Sequence, residues 1–235
     1  MRSALLVLAL TATTAAATDY KIVRRTTVEG SSTTTQTEYW TAGRVIVDDP
    51  TQRTIVDFHA GTATVVDKDG RRFTKVRLDD LRRGLVAVGT MIEQLPPAAR
   101  EYLGIGRNLG LAPTGEFTTI ANRRAREYAI GGEGVTGWVW LAEDLDPRAI
   151  LGDDASAWWR AGGPLRAVGP LGDVARAIEA GGVKGMPVWV WLTAGSARGT
   201  TTIASQVDSI DEARSPAEIE RVPPGYREET PSTGD

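Results

Sequence analysis

Between residues 19 and 76 apolar and polar side chains alternate in short runs broken by turn-forming residues. That is the period of strands with one face against a core. Residues 20–28 are rich in β-branched side chains and end at Glu29-Gly30-Ser31-Ser32, and the pattern resumes over 32–41 up to Ala42-Gly43. Residues 44–48 and 54–58 flank Asp49-Pro50-Thr51-Gln52. Residues 62–67 and 72–76 flank Lys68-Asp69-Gly70, where Asp-Gly favours a hairpin. Connections this short cannot make parallel crossovers, so an antiparallel meander is expected.

The period changes at Leu78. Leu78, Leu81, Leu85, Val88, Ile92 and Leu95 recur at steps of three and four, one stripe of a helix, with Asp79, Asp80, Arg82 and Arg83 on the other side. Asp79 and Asp80 suit the positive end of the helix dipole, and Pro96-Pro97 ends the element. The stripe is expected to pack on the sheet through Leu81, Leu85, Val88 and Ile92. Residues 98–103 suit a further short helix, and 104–114, with three glycines and a proline, read as a loop. Strands return at 116–120, 123–130 and 135–141. Short helices follow within 147–163 and at 174–180, the second stopped by Gly181-Gly182. Two strands, 186–193 and 200–210, close the fold. The polar stretch 228–235 has no periodicity and reads as a disordered tail.

The N-terminus has a pattern of its own. Arg2 precedes the apolar run 4–10, and small residues lead to Ala15-Ala16-Ala17. This reads as a signal peptide over residues 1–17, cleaved after Ala17, with one domain following over 18–227. A single arginine suits the general secretion route, and no cysteine follows to take a lipid anchor. The expectation is a periplasmic or secreted protein with no transmembrane segment in the mature chain.

Composition narrows the chemistry. The chain of 235 residues, 41% hydrophobic and 24% charged, suits one large or two small globular domains. A net charge of −3 without a basic cluster argues against nucleic acid. The absence of cysteine removes thiol nucleophiles, thiolate metal sites and disulfides. The lone histidine, His59, cannot build an imidazole metal site and reads as a turn residue. Asp48-Asp49, Asp79-Asp80 and Asp153-Asp154 are explained by turns and helix starts, and Glu143-Asp144-Leu145-Asp146 lacks the spaced ligands of a calcium loop. Gly104-Ile105-Gly106 and Gly131-Gly132-Glu133-Gly134 lack the strand and helix context of a phosphate cradle. No catalytic residue, metal site or cofactor is assigned, and the protein is read as not an enzyme.

The tryptophans say more. Trp138 and Trp140 share one face of a strand, as do Trp189 and Trp191, with Val139, Leu141, Val190 and Leu192 on the other faces. Strands apolar on both faces are covered on both sides or line a cavity. Two readings stand open: aromatic core packing, or the wall of an apolar pocket with Trp158-Trp159 as part of a lid.

Several short motifs carry a resemblance. Tyr39-Trp40 lies near the second strand. Thr118-Thr119-Ile120-Ala121-Asn122-Arg123 runs on to Tyr128, Lys184-Gly185-Met186-Pro187 leads into the late strands, and Pro224-Gly225-Tyr226 comes last. Together they resemble the bacterial periplasmic domains of unknown function related to lipoprotein-localisation carriers of the LolA/LolB type. Many relatives have glycine and cysteine where this chain has Asn122 and Ala125. The resemblance implies an α+β fold: an unclosed antiparallel β-barrel, a strongly curved sheet whose concave face is plugged by helices. It also implies a non-enzymatic carrier for an acyl chain or other apolar ligand, a lipid or lipoprotein acyl chain being the partner. Trp138, Trp140, Trp189, Trp191, Leu85, Val88 and Ile92 would line the cavity. The alternative is an envelope interaction or sensor domain that binds another envelope protein and has a solid core.

Overall fold

A computed structural model describes residues 18–31, 33–96, 98–99, 107–151, 169–196 and 199–230, apart from several side chains on two of the helices. The N-terminal seventeen residues, Asp153-Asp154 and Trp158-Trp159 lie outside the described residues.

The alternating segment forms six strands: β1 (Tyr20–Val28), β2 (Thr34–Thr41), β3 (Arg44–Asp48), β4 (Gln52–Asp57), β5 (Thr62–Asp67) and β6 (Arg72–Arg77). Helix α1 (Leu78–Gln94) follows, and then β7 (Gly110–Ile120), β8 (Arg123–Gly132) and β9 (Val135–Ala142). Helices α2 (Pro147–Leu151) and α3 (Pro170–Ala180) precede β10 (Met186–Ser196), β11 (Gly199–Glu212) and the two-residue β12 (Arg227–Glu228).

All twelve strands belong to one sheet, in the order β12-β6-β5-β4-β3-β2-β1-β11-β10-β9-β8-β7. Two meanders are thus joined where β1 pairs antiparallel with β11, and among the described strands only β12 runs parallel to its neighbour, β6. The ends of the order do not meet, so the sheet is unclosed. No helix among the described residues is long and apolar enough to cross a membrane.

Three buried clusters among the described residues hold the sheet. The largest joins Ile22, Trp40, Val45, Val56 and Ala63 of the first meander to Met186, Val188 and Val207 of the second, with Leu145, Ile150 and Leu151 around α2. In another, Val139, Leu141, Val190 and Leu192 meet Val174, Ala175 and Ile178 of α3. The third is formed by Tyr39, Ile46 and Ile55, on which Ile219 packs.

Four elements differ from the sequence expectation. The segment read as a loop up to residue 114 is strand from Gly110 onward. Pro113 misled the reading, because β7 is the outermost strand, where a missing N–H costs no ladder bond on the open side. The ladder is irregular between Pro113 and Phe117. Helix α3 starts four residues earlier than the periodicity suggests, at Pro170, a first-turn position that tolerates proline. Leu81, expected to face the sheet, is 38% exposed. Leu78 is buried and Ile92 and Leu95 are half-buried, while the side chains of Leu85 and Val88 lie outside the described residues. At the C-terminal end, β12 includes Glu228, the first residue of the stretch read as tail. The amide of Glu229 also donates to the Phe73 carbonyl at 2.8 Å.

Candidate functional site

Cross-strand register brings the four expected tryptophans together. Trp140 stands opposite Trp189 and Trp138 opposite Trp191, so two strands present a two-by-two block of indoles. Trp138 and Trp189 meet edge to face with centroids 4.3 Å apart, and Trp138 and Trp191 stack at 6.1 Å with an interplanar angle of 19°. Both geometries suit the ring quadrupole. Trp191 is 37% exposed and the other three are half-buried. Trp140 and Trp189 pack against the largest cluster.

Neighbouring strands frame the block with smaller and polar side chains. Gln206 lies opposite Trp189 and Arg25 opposite Gln206, while Glu127 lies opposite Trp140. In the next row Ala204 and Ala129 flank Trp191 and Trp138. Arg25 pairs with Asp208 at 2.8 Å, and Glu127 accepts from the Thr114 hydroxyl at 2.8 Å. The alternation read from the sequence holds: Val139 and Val190 turn away from the indoles into the cluster under α3.

Gly137 lets the two tryptophan strands approach. At its φ of +157°, an added Cβ would stand 2.1 Å from the Trp191 carbonyl oxygen, a backbone atom that cannot rotate away. Gly137→Ala should therefore lower stability by about 1–3 kcal/mol and weaken the near-ultraviolet circular dichroism of the tryptophans. An unchanged urea midpoint with an unchanged spectrum would show that the strands have room to spare.

The other candidates are accounted for locally. His59 is exposed in the turn after β4. Asp48 pairs with Arg53 at 2.7 Å and Lys68 at 3.0 Å, and Asp49 accepts from the amides of Thr51 and Gln52 in its turn. Arg44 and the Ala60 amide bind Asp57 and outweigh its desolvation, holding its carboxyl below the usual range. Asp144 pairs with Arg123 and Glu143 with Arg126. No group of three or more His, Asp or Glu suited to a metal occurs among the described residues.

Among the described residues, buried charged side chains that were not foreseen form two clusters. Asp173 of α3 is buried, and burial pushes its carboxyl up despite the ion pair with Arg176 and the Arg107 amide donating to it at 3.3 Å. The other is more extensive. Arg24 and Glu38 are wholly buried and paired at 2.7 Å. Glu38 also accepts from Gln36 at 2.9 Å and from the Trp40 indole N–H at 3.0 Å. Arg24 Nη1 donates to the Pro187 carbonyl at 3.0 Å, beside a bulge in β10. The sequence did hold a signal: Arg24 shares the phase of Ile22, and Glu38 the phase of Trp40, so opposite charges stand on the apolar phase of one hairpin.

No family model and no curated protein matches the sequence. Solved structures of similar shape include PNGF-II, at a TM-score of 0.42 and 10% identity over 91% of this chain and 32% of that one. MucB matches at a TM-score of 0.41 and 11% identity over 89% of this chain and 59% of its own. A LolA superfamily protein from Nitrosomonas europaea matches at a TM-score of 0.28 and 9% identity over 88% and 90%. The chain thus spans about a third of PNGF-II and about three fifths of MucB.

Proposed function

We propose that this is a non-enzymatic binding or carrier protein of the bacterial envelope, with a LolA-like fold, that takes an acyl chain or other apolar ligand against its tryptophan face. The observation that carries this reading is the two-by-two indole block with Trp191 left 37% exposed. Most large apolar side chains of the sheet are buried, so an aromatic surface partly open to water suits a partner that covers it. The charged, apolar and small-residue regions of the N-terminus support export to the periplasm. The motif resemblance to lipoprotein carriers points the same way.

The test uses the indoles as reporters. A fatty acid should quench tryptophan fluorescence saturably, and Trp140→Ala or Trp189→Ala should weaken that binding beyond what lost stability explains. Val139→Ala, buried under α3, should lower stability and leave affinity unchanged. Equal affinity losses in Val139→Ala and Trp140→Ala would reject the site.

The openness of the face favours one second reading, an interaction or sensor domain in which the tryptophans meet another envelope protein. No saturable quenching by any apolar probe, with a partner captured through Trp191, would select it.

A further inference from the structure

The sheet has two edges, and the chain covers only one of them. At the first, β12 pairs with the start of β6, and the Glu229 amide adds a bond to the Phe73 carbonyl. At the second, β7 is last in the order, and nine of its eleven residues are exposed. Part of that edge is guarded, since Pro113 offers no N–H and the ladder is irregular from Pro113 to Phe117. The stretch from Phe117 to Ile120 holds no proline and pairs with β8 in unbroken register.

Register decides which backbone groups this stretch presents. Ala121 and Asn122 have φ of 50° and 61°, a two-residue turn with both residues left-handed. Ile120 and Arg123 are then the narrow, hydrogen-bonded pair that closes it. Narrow and wide pairs alternate along an antiparallel ladder. Thr119 opposite Arg124, and Phe117 opposite Arg126, are therefore wide pairs whose N–H and C=O groups point away from β8. Their side chains share a face with those of Arg124 and Arg126. A strand laid antiparallel along the edge bonds to Phe117 and Thr119, and its residues opposite them fall on that same face.

The side chains on that face set what such a strand must carry. Phe117 is 44% exposed. The Arg124 guanidinium lies over its ring at 4.3 Å, and among the described residues Arg124 has no carboxylate partner. Arg126 lies 5.7 Å from the same ring and meets Glu143 at 3.7 Å, beyond hydrogen-bond reach, with its Nε buried and unpartnered. Two cations beside an exposed ring, at an open backbone edge, match an extended strand with carboxylates at alternate positions. A second copy of this chain matches poorly. The two-fold that pairs β7 with β7 of another copy keeps like faces together, and sets Arg124 and Arg126 against their counterparts.

We infer that the Phe117–Ile120 edge docks an extended acidic segment of another protein, added antiparallel beside β7 with its carboxylates against Arg124 and Arg126. This stands independently of what the tryptophan face binds.

A fluorescein-labelled hexapeptide of alternating threonine and glutamate tests it by anisotropy, with lysine in place of glutamate as the control. The glutamate peptide should bind saturably and the lysine peptide should not. Arg124→Gln should weaken binding about tenfold. Trp140→Ala should change it by less than about twofold. N-methylation of the glutamates, which face β7 through their N–H groups, should abolish binding, while N-methylation of the threonines should leave it intact. Thr119→Pro removes an outward N–H and should abolish binding with the far-ultraviolet circular dichroism unchanged. Should that variant not fold, the two N-methylated peptides decide on the parent protein. Absence of binding, or equal binding of the glutamate and lysine peptides, overturns the docking. Equal effects of the two N-methylations mean that the arginines hold carboxylates without an added strand, and also overturn it. Loss of binding in Trp140→Ala moves the peptide to the tryptophan face. A parent protein that dimerises in sedimentation velocity, and is monomeric as Thr119→Pro, makes a second copy the occupant instead.

Discussion

Replacing Glu38 with Ala should lower the stability of the protein by about 3–5 kcal/mol, seen as a large fall in the urea midpoint. The carboxylate is wholly buried, and its loss leaves the Arg24 cation without its counter-charge in an apolar cluster. It also strands the Gln36 amide and the Trp40 indole N–H, both of which donate to Glu38. The double variant Arg24→Met, Glu38→Gln should recover most of the loss. It buries no charge, and the Gln oxygen still accepts from Trp40. The surface pair Arg25–Asp208 is a control one residue away along β1. With side chains 50% and 34% exposed, its removal by Asp208→Ala should cost about 0–1 kcal/mol. A Glu38→Ala protein as stable as the Asp208→Ala protein would mean that water reaches the Arg24 guanidinium.

Local patterning made much of this fold legible. Strand, turn and helix signals lie within a few residues of each other, so β1 to β6 and α1 follow from alternation, Asp-Gly turns and a three-four stripe. The tryptophan block was half legible: alternation put Trp138 with Trp140 and Trp189 with Trp191, but only register could set one pair against the other. The pairing of β1 with β11 was not legible, because partners almost two hundred residues apart leave no local trace. The same limit hid the Pro187 contact of Arg24, which depends on an extra residue, Val188, bulging from β10. The α1 stripe shows the other failure. Periodicity located Leu81 on the apolar side but could not say what covers it, and Leu81 is exposed.

Truncation after Ala213 should lower stability by about 2–4 kcal/mol and make the protein self-associate more strongly than the full chain. The segment from 214 to 229 straps the first meander. Ile219 packs on Tyr39, Ile46 and Ile55, and Arg44 pairs with Glu220 at 3.3 Å. Arg53 donates to the carbonyl of Glu218 at 3.3 Å. Farther along, the Arg227 amide donates to the Arg71 carbonyl at 3.1 Å, and Arg72 pairs with Glu229 at 3.4 Å. The strap therefore does two separable things: it covers an apolar patch, and β12 caps the edge of β6. An uncapped strand edge is a template for another chain, so the truncated protein should form concentration-dependent dimers or larger species, read by sedimentation velocity. Ile219→Ser in the full chain tests the first role alone: stability should fall while the edge stays capped and the sedimentation matches the parent. A chain ended after Tyr226 tests the second, with the patch still covered and association increased. If the chain ended after Tyr226 sediments as the parent does while Ile219→Ser associates, the apolar patch and not the β6 edge is what the strap guards.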